Sequence, residues 1–194
     1  VKLLTEKKIK DSLVSLMNGL GEGDSIDMAM FYLSDRKVVE ALKRVDKNGV
    51  AIRIILDPNK DAFGREKNGV PNRPVADELL KNTKGNTRIR WCDTHGEQCH
   101  SKMTLVKNSS GYHLLLGSAN LTIRNIGNYN LETDVLIESD KKIEAIKRAY
   151  EFFDETWENK NGIIYTVEYA KYKDESLYKR LLYHWMERTG MSSF

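Results

Sequence analysis

The chain has 194 residues, of which 40% are hydrophobic and 30% charged, and this composition suits one globular domain with a real core. The net charge is only +3, since 31 basic residues face 28 acidic ones, and the two kinds are mixed along the chain. This pattern disfavours a dedicated nucleic-acid-binding protein. No apolar run approaches the ~20 residues that a membrane-spanning helix needs. Since the first residue is Val1 rather than Met, we expect this chain to be part of a longer protein. We expect the domain itself to be soluble, whereas the longer protein can still be associated with a membrane.

The first third of the chain predicts a helix followed by a strand–helix–strand unit. Apolar residues at helical spacing predict a helix from Thr5 to about Leu20, and alternation predicts a strand from Ile26 to Tyr32. Ser34 or Asp35 can cap the next helix, and Val50 to Leu56 is an apolar strand. Strands joined by a helix are usually parallel, so we expect these two strands to pair in parallel.

The rest of the chain predicts a long polar loop over 57–73 and then a series of short elements. These are a helix from about Pro74 to Lys81, a strand at Thr87–Trp91, a hairpin of Ser101–Val106 and Tyr112–Leu116, a strand at Asn130–Glu138, a helix capped by Ser139 or Asp140, a short strand within Gly162–Val167 and a last helix around Leu177–Trp185. We therefore expect an α/β domain over residues 1–160, with a mixed, mostly parallel sheet flanked by helices on both faces. Residues 161–194 should form a C-terminal extension that packs on it.

The two cysteines allow more than one interpretation. Cys92 and Cys99 can form a disulfide across a short loop or remain as free thiols. With His95 and His100 they also resemble a zinc cluster, but the spacing fits no common zinc finger, and adjacent ligands such as Cys99 and His100 are unusual. We expect no metal site.

The segment from His100 to Lys102 carries the clearest chemical signal. Side chains two apart on a strand share a face, so His100 and Lys102 should lie together. The next strand ends at Gly117-Ser118-Ala119-Asn120, which should bring Ser118 and Asn120 to the same sheet edge. A neutral imidazole can attack phosphorus, an ammonium can neutralise the phosphoryl oxygens, and hydroxyl and amide groups can hold them. Glu132, on the following strand, is the candidate acceptor for the second ring nitrogen of His100.

These residues resemble the paired motif of the phospholipase D superfamily, HxKxxxxD followed by GSxN. His100 and Lys102 match the first part, Gly117, Ser118 and Asn120 match the second, and Glu132 matches the downstream acid that orients the histidine in this family. The resemblance spans roughly residues 5–157. It implies a phospholipase D-like fold and a phosphodiesterase or phosphatidyltransferase that acts through a phosphohistidine and needs no cofactor. Lys107 stands at the motif's Asp position, which indicates a divergent branch rather than inactivation.

The resemblance also implies a partner, because the family's active site uses two HxK histidines. Of the four histidines only His100 heads such a motif. The second copy should come from a preceding half of the same longer bacterial chain, which would make this chain the C-terminal half, or from a homodimer mate. The expected substrate is a phospholipid, as for cardiolipin synthase-like proteins. The alternatives are a metal-independent nuclease acting on nucleic acid and a catalytically silent half.

Two further residues are candidates for substrate contact. His95 lies in the polar loop before the nucleophile, where it can contact substrate or simply shape a turn. Tyr32 ends the first strand, where it can face the phosphate or belong to the core. Gly117 is a candidate for substrate binding through its place in the motif.

Overall fold

The computed structural model describes residues 1–62 and 65–190. The strands are β1 (Lys2–Thr5), β2 (Ser25–Met30), β3 (Ala51–Leu56), β4 (Asp61–Ala62), β5 (Arg65–Glu66), β6 (Thr87–Cys92), β7 (Lys102–Asn108), β8 (Gly111–Gly117), β9 (Thr133–Ser139) and β10 (Thr166–Glu168). The helices are α1 (Lys7–Met17), α2 (Arg36–Lys47), α3 (Asn72–Lys81), α4 (Ile123–Ile126), α5 (Glu144–Glu158) and α6 (Leu177–Thr189), with 3₁₀ turns at Lys160–Gly162 and Tyr169–Tyr172. No helix in this described part is long and apolar enough to cross a membrane.

Eight strands form one sheet in the order β1-β9-β8-β7-β2-β3-β6-β10. The mixed α/β class is confirmed, but the expectation of a mostly parallel sheet is wrong. Among the described strands of this sheet, β2–β3 and β3–β6 pair in parallel and the other five pairings are antiparallel. The parallel pairs are those connected through α2 and α3, whereas the β7–β8 hairpin and its neighbours turn back directly.

Helices cover both faces of the sheet, as expected. Alternate strand residues point to opposite faces, so Ile54 packs with α1, α2, α3 and α6, and Ile55 packs with α5. The Asp35 cap of α2 is confirmed, because its carboxylate accepts hydrogen bonds from the backbone nitrogens of Lys37 at 3.0 Å and Val38 at 3.2 Å. This cap fixes the chain direction immediately after β2.

Several local predictions differ from the structure. The predicted caps of α5, Ser139 and Asp140, are wrong, because Ser139 still pairs with Tyr112 in the β8–β9 ladder and the helix begins only at Glu144. Strand β1 and the single-turn helix α4 are not anticipated by the patterns. Both are short, so their sequences carry too little periodicity to detect. Within the predicted loop over 57–73, residues 63 and 64 lie outside the described residues.

The C-terminal segment completes the sheet and one core layer. Strand β10 pairs with β6, and Tyr183 of α6 is fully buried in the core next to α3. Residues 191–194 of the predicted extension are not among the described residues, and the proposed division at residue 160 stays a prediction.

One edge of the sheet collects the ends of six strands. The pairs Met30–Lys102, Met30–Leu56 and Leu56–Trp91 place the ends of β2, β3 and β6 beside the start of β7. The pairs Met103–Leu116 and Gly117–Asp134 place the end of β8 and the start of β9 next to them. The segments that leave these strands therefore meet at this edge, which we call the active edge.

Candidate active site

His100 and Lys102 lie together at the active edge, at the start of β7. The Nζ atom of Lys102 is 3.1 Å from Nδ1 and 3.3 Å from Nε2 of the His100 ring, and it donates to the His100 backbone oxygen at 3.1 Å. The buried ring of Phe31 forms the wall behind them, with its centroid 4.7 Å from that of the imidazole and 5.4 Å from the ammonium. Phe31 contacts both groups because it directly follows β2, the strand that pairs with β7.

The environment of this pair favours a neutral imidazole. Partial burial and the charge of Lys102 both lower the pKa of His100 below its usual value. Burial also lowers the pKa of Lys102, whereas the nearby carboxylates of Glu132 and Asp134 oppose that shift. At neutral pH the site therefore offers an unprotonated ring nitrogen beside a cation, which suits attack on an anionic phosphoryl group.

Glu132 binds Ser118 rather than His100. Its Oε2 atom accepts a hydrogen bond from Ser118 Oγ at 2.5 Å, and its Oε1 atom accepts one from Asn125 Nδ2. Within the described residues no hydrogen bond joins Glu132 to the His100 ring. The predicted contact is therefore absent among the described residues, where the two carboxylate oxygens accept from Ser118 and Asn125 instead. Asn125 was missed as a site residue, since it lies in the unanticipated α4.

The motif glycine has a packing role that its sequence position does not reveal. Gly117 pairs with Asp134 across β8 and β9, and an added Cβ would collide with the Asp134 carboxylate and the Thr133 carbonyl. The Oδ1 atom of Asp134 accepts a hydrogen bond from the backbone nitrogen of Ala119 at 3.1 Å. Burial, with a contribution from Glu132, raises the pKa of Asp134 to about 6. Asp134 thus holds the turn between Gly117 and Asn120.

Asn120 sits in that turn, behind the exposed Ser118. Its Oδ1 atom is buried and has no hydrogen-bond partner among the described residues. The neighbouring backbone is tightly held, because Leu121 N donates to Tyr32 O at 3.1 Å and Leu121 O accepts from Ser34 N at 2.8 Å. The structure thus brings Ser118 and Asn120 to the same edge as His100 and Lys102.

Tyr32 lies beside the site as part of its support. Its ring is buried and packs against Phe31 with centroids 4.0 Å apart, and its hydroxyl accepts a hydrogen bond from Lys67 Nζ. The Lys67 ammonium lies 5.8 Å from the Phe31 ring centroid, so it is a second cation at the active edge. Sequence reasoning missed Lys67, because the long loop after Asp57 shows no pattern that reports which residues fold back.

Among the described residues, neither His95 nor Lys107 makes a hydrogen bond or ring contact with His100. The His95 side chain is 74% exposed, and its Nε2 atom is 3.6 Å from Asp93 Oδ2. Lys107, at the motif's usual Asp position, is exposed near the far end of β7, where it pairs with Tyr112. The substitution at Lys107 therefore leaves the surroundings of His100 unchanged.

The residue before His100 is held at two of its atoms. Cys99 forms a disulfide with Cys92, which confirms the first of the alternatives for the cysteines and removes both thiolates as zinc ligands. Its backbone nitrogen donates to Oδ2 of the buried Asp57 at 2.8 Å, and burial raises the pKa of Asp57. Among the described residues no group of three or more His, Cys, Asp or Glu side chains is arranged to hold a metal ion.

The same segments match known proteins. A family model described as cardiolipin synthase, PLD-like domain, matches residues 16–157, which include every strand from β2 to β9. None of the curated protein sequences matches the chain.

Solved structures show the same fold at low sequence identity. NucT from Helicobacter pylori is 19% identical with a TM-score of 0.60, and the match covers 81% of this chain and 94% of that one. Nuc from Salmonella typhimurium, a phospholipase D family member, is 17% identical with a TM-score of 0.58 and the same coverage. Phosphatidylserine synthase from Haemophilus influenzae is 14% identical with a TM-score of 0.65, and the match covers 98% of this chain but 45% of that protein. The family model covers most of the sheet, and His100, Lys102, Ser118 and Asn120 lie at one edge of it. The chain therefore belongs to the phospholipase D superfamily, in the family of cardiolipin synthase phospholipase D-like domains.

Proposed function

We propose that this chain is one catalytic half of a phospholipase D-type phosphodiesterase, with His100 as the nucleophile. The observation that carries the proposal is the contact between the Lys102 ammonium and the imidazole of His100, 3.1 Å apart, on a partly buried edge that lowers the pKa of the histidine. A lowered pKa keeps the ring nitrogen unprotonated, and the cation attracts the phosphate to it.

The chemistry follows in two steps. A ring nitrogen of His100 bonds to phosphorus as the bond from phosphorus to the leaving oxygen breaks, and that oxygen takes a proton from an acid. Water then attacks the phosphohistidine and gives its proton back to the group that served as the acid, which restores the imidazole and releases a phosphate monoester. An alcohol that reacts in the same way gives a transferred phosphodiester. Lys102 balances the charge on the phosphoryl oxygens, and the Asn120 amide orients them; Ser118 donates to them only when its hydroxyl turns away from Glu132.

We assign the acid that protonates the leaving oxygen to a second catalytic half, which is not part of this chain. His100 is the only histidine of this chain in an HxK segment, and His95 is exposed and directed to Asp93. The histidine of a second HxK segment, from the same longer chain or from a second copy, would supply the proton. The roles of the two histidines exchange if the partner's residue is the better nucleophile.

A phospholipid or related head-group ester is the proposed substrate. The match to the cardiolipin synthase model supports this choice, and the modest net charge of +3 argues against a surface built for a nucleic-acid backbone. A nucleic-acid phosphodiester is the alternative substrate, and it would use the same residues.

The test compares His100→Ala with His184→Gln, a histidine on α6 at 39% side-chain exposure, which serves as the matched control. With bis(4-nitrophenyl) phosphate and a chelator present, we expect His100→Ala to lose at least about a thousandfold in turnover and the control to stay within about twofold. Labelled phospholipid and single-stranded DNA, assayed side by side, identify the substrate class. A phosphohistidine that is labile to acid should be trapped in the wild type only.

The same assay over a range of chain concentrations tests the partner. Specific activity that rises with concentration indicates that two copies form the site, whereas activity that needs an upstream half indicates one longer chain. Unchanged turnover in His100→Ala would overturn the catalytic assignment and leave the silent-half alternative.

A further inference from the structure

Asn120 depends on its backbone for its position. Its buried Oδ1 atom makes no hydrogen bond to any described residue, so that atom does not fix the side chain. The surrounding turn is held on one side by Asp134, through Ala119 N, and on the other by the pairing of Leu121 with the segment after β2. Any group that joins the segment after β2 to the backbone that runs through Leu121 therefore also positions the amide of Asn120.

Glu187 of α6 joins them. Its side chain is 5% exposed, Oε1 accepts a hydrogen bond from Ser34 Oγ at 2.6 Å, and Oε2 accepts one from Ile123 N at 3.0 Å. Ser34 belongs to the segment that pairs with Leu121, and Ile123 starts the helix that follows the turn. One carboxylate thus bridges the segment after β2 and the backbone that follows Asn120, on the Leu121 side of the turn.

The burial of this carboxylate is costly, which indicates that its hydrogen bonds matter. Burial raises the pKa of Glu187 to about 7, the charge of Asp35 adds to this rise, and the two hydrogen bonds and Arg36 oppose it. Asp35 is itself paired with the buried Lys10 at 3.2 Å. Helix α6 already docks through Tyr183 and through the pair of Arg180 with Asp77, so docking alone does not require a buried acid here.

We propose that Glu187 is a positioning residue of the active site, which sets the Ser118–Thr122 turn from behind and thereby orients the Asn120 amide toward the phosphate. The inference rests on the proposed function for its kinetic consequence only. It assigns a role in the reaction to the C-terminal helix, which lies beyond the residues that the family model matches.

The test uses Glu187→Leu, Glu187→Gln and Ser34→Ala. Leucine removes both hydrogen bonds, whereas glutamine keeps them, since its oxygen accepts from Ile123 N and its amide donates to Ser34 Oγ. We expect Glu187→Leu to lower kcat about tenfold with KM within about twofold, Ser34→Ala to lower kcat about threefold, and Glu187→Gln to stay within about threefold of the wild type. Arg180→Leu is the matched control, because it removes the ion pair of the same helix with Asp77 without touching the turn.

Hydrogen exchange provides a readout that does not depend on activity. The amides of Leu121 and Ile123 should exchange faster in Glu187→Leu, and Ser34→Ala gives a milder case if the leucine variant does not fold. Exchange at these amides that equals that of the wild type would overturn the inference. So would equal losses of kcat in Glu187→Leu and Arg180→Leu at equal melting temperatures, which would assign Glu187 to helix docking.

His100→Ala is assayed in parallel. Retained turnover in that variant refutes the proposed function, while the exchange data still decide the role of Glu187.

Discussion

At the scale of single residues, His100 depends on two neighbours that act through different forces. The Phe31 ring at 4.7 Å removes water from one side of the imidazole, and the Lys102 ammonium at 3.1 Å opposes its protonation. Both effects lower the pKa of His100. At neutral pH the ring of His100, the proposed nucleophile, is therefore unprotonated, although no carboxylate of the described residues is hydrogen-bonded to it.

The titration of His100 should depend on Lys102. We expect the ring to protonate with a midpoint below the ordinary value of 6.5 in the wild type, so that activity falls as the pH drops through that midpoint. In Lys102→Met the charge is gone and only burial remains, so the midpoint should move upward, and turnover should fall by about a hundredfold. NMR of the ring protons measures the midpoint in both proteins, and an unchanged midpoint in the variant would contradict this electrostatic account.

At the scale of elements, a covalent cross-link joins the two ends of the loop between β6 and β7, just before His100. The disulfide joins Cys92, the last residue of β6, to Cys99, and Asp57 at the end of β3 holds the backbone of Cys99. Three neighbouring segments of the active edge thus meet at the residue that precedes His100. This closure limits the freedom of the chain where His100 enters β7.

Reduction of the disulfide should therefore weaken both stability and activity. For a loop of this length, the loss of the cross-link should lower the free energy of unfolding by ~2.5 kcal/mol. Urea unfolding with and without reductant measures this difference, and turnover in the same buffers should fall with reduction. The double variant Cys92→Ser with Cys99→Ser is the control, because it should be insensitive to reductant. Coincident unfolding curves of the wild type in the two buffers would contradict the expectation.

At the scale of the whole molecule, the C-terminal segment belongs to the core. Trp91 is fully buried, and its indole nitrogen donates to Tyr169 O at 2.8 Å. Tyr183 of α6 is also fully buried. Residues that sequence reasoning assigned to an extension thus cover one end of the sheet and, through Glu187, reach the backbone behind Asn120.

A chain that ends at Asn159 should accordingly be unstable. Its loss of β10 and α6 exposes Trp91 and removes Tyr183, and each large buried side chain contributes roughly 1.5–3 kcal/mol through the area that it hides from water. We expect the truncated chain to melt at a markedly lower temperature and to bind a hydrophobic dye. Thermal unfolding followed by circular dichroism, compared with the full chain, makes the measurement. An equal melting temperature would show that residues 1–159 fold by themselves.

The parts of this protein that local patterns predicted are those that neighbouring residues decide. The strand–helix–strand unit from Ile26 to Leu56, the hairpin after Lys102 and the Asp35 cap follow from alternation, helical spacing and capping, which act over a few residues. His100 and Lys102 also lie together as predicted, although His100 precedes the first residue of β7.

The remaining features depend on residues far apart in the chain. The antiparallel majority of the sheet, the approach of Asp57 to Cys99, and the bond of Ser34 to Glu187 across 153 positions arise only when distant elements pack together. A polar side chain in a loop or on a helix shows no periodicity that reveals which distant donor it will meet. The sequence by itself determined the chemical groups and the short elements that carry them. The tertiary structure decided which donor each carboxylate accepts a hydrogen bond from. The physical reason is that burial and packing bring one donor within reach, whereas the sequence does not distinguish it from the other polar groups.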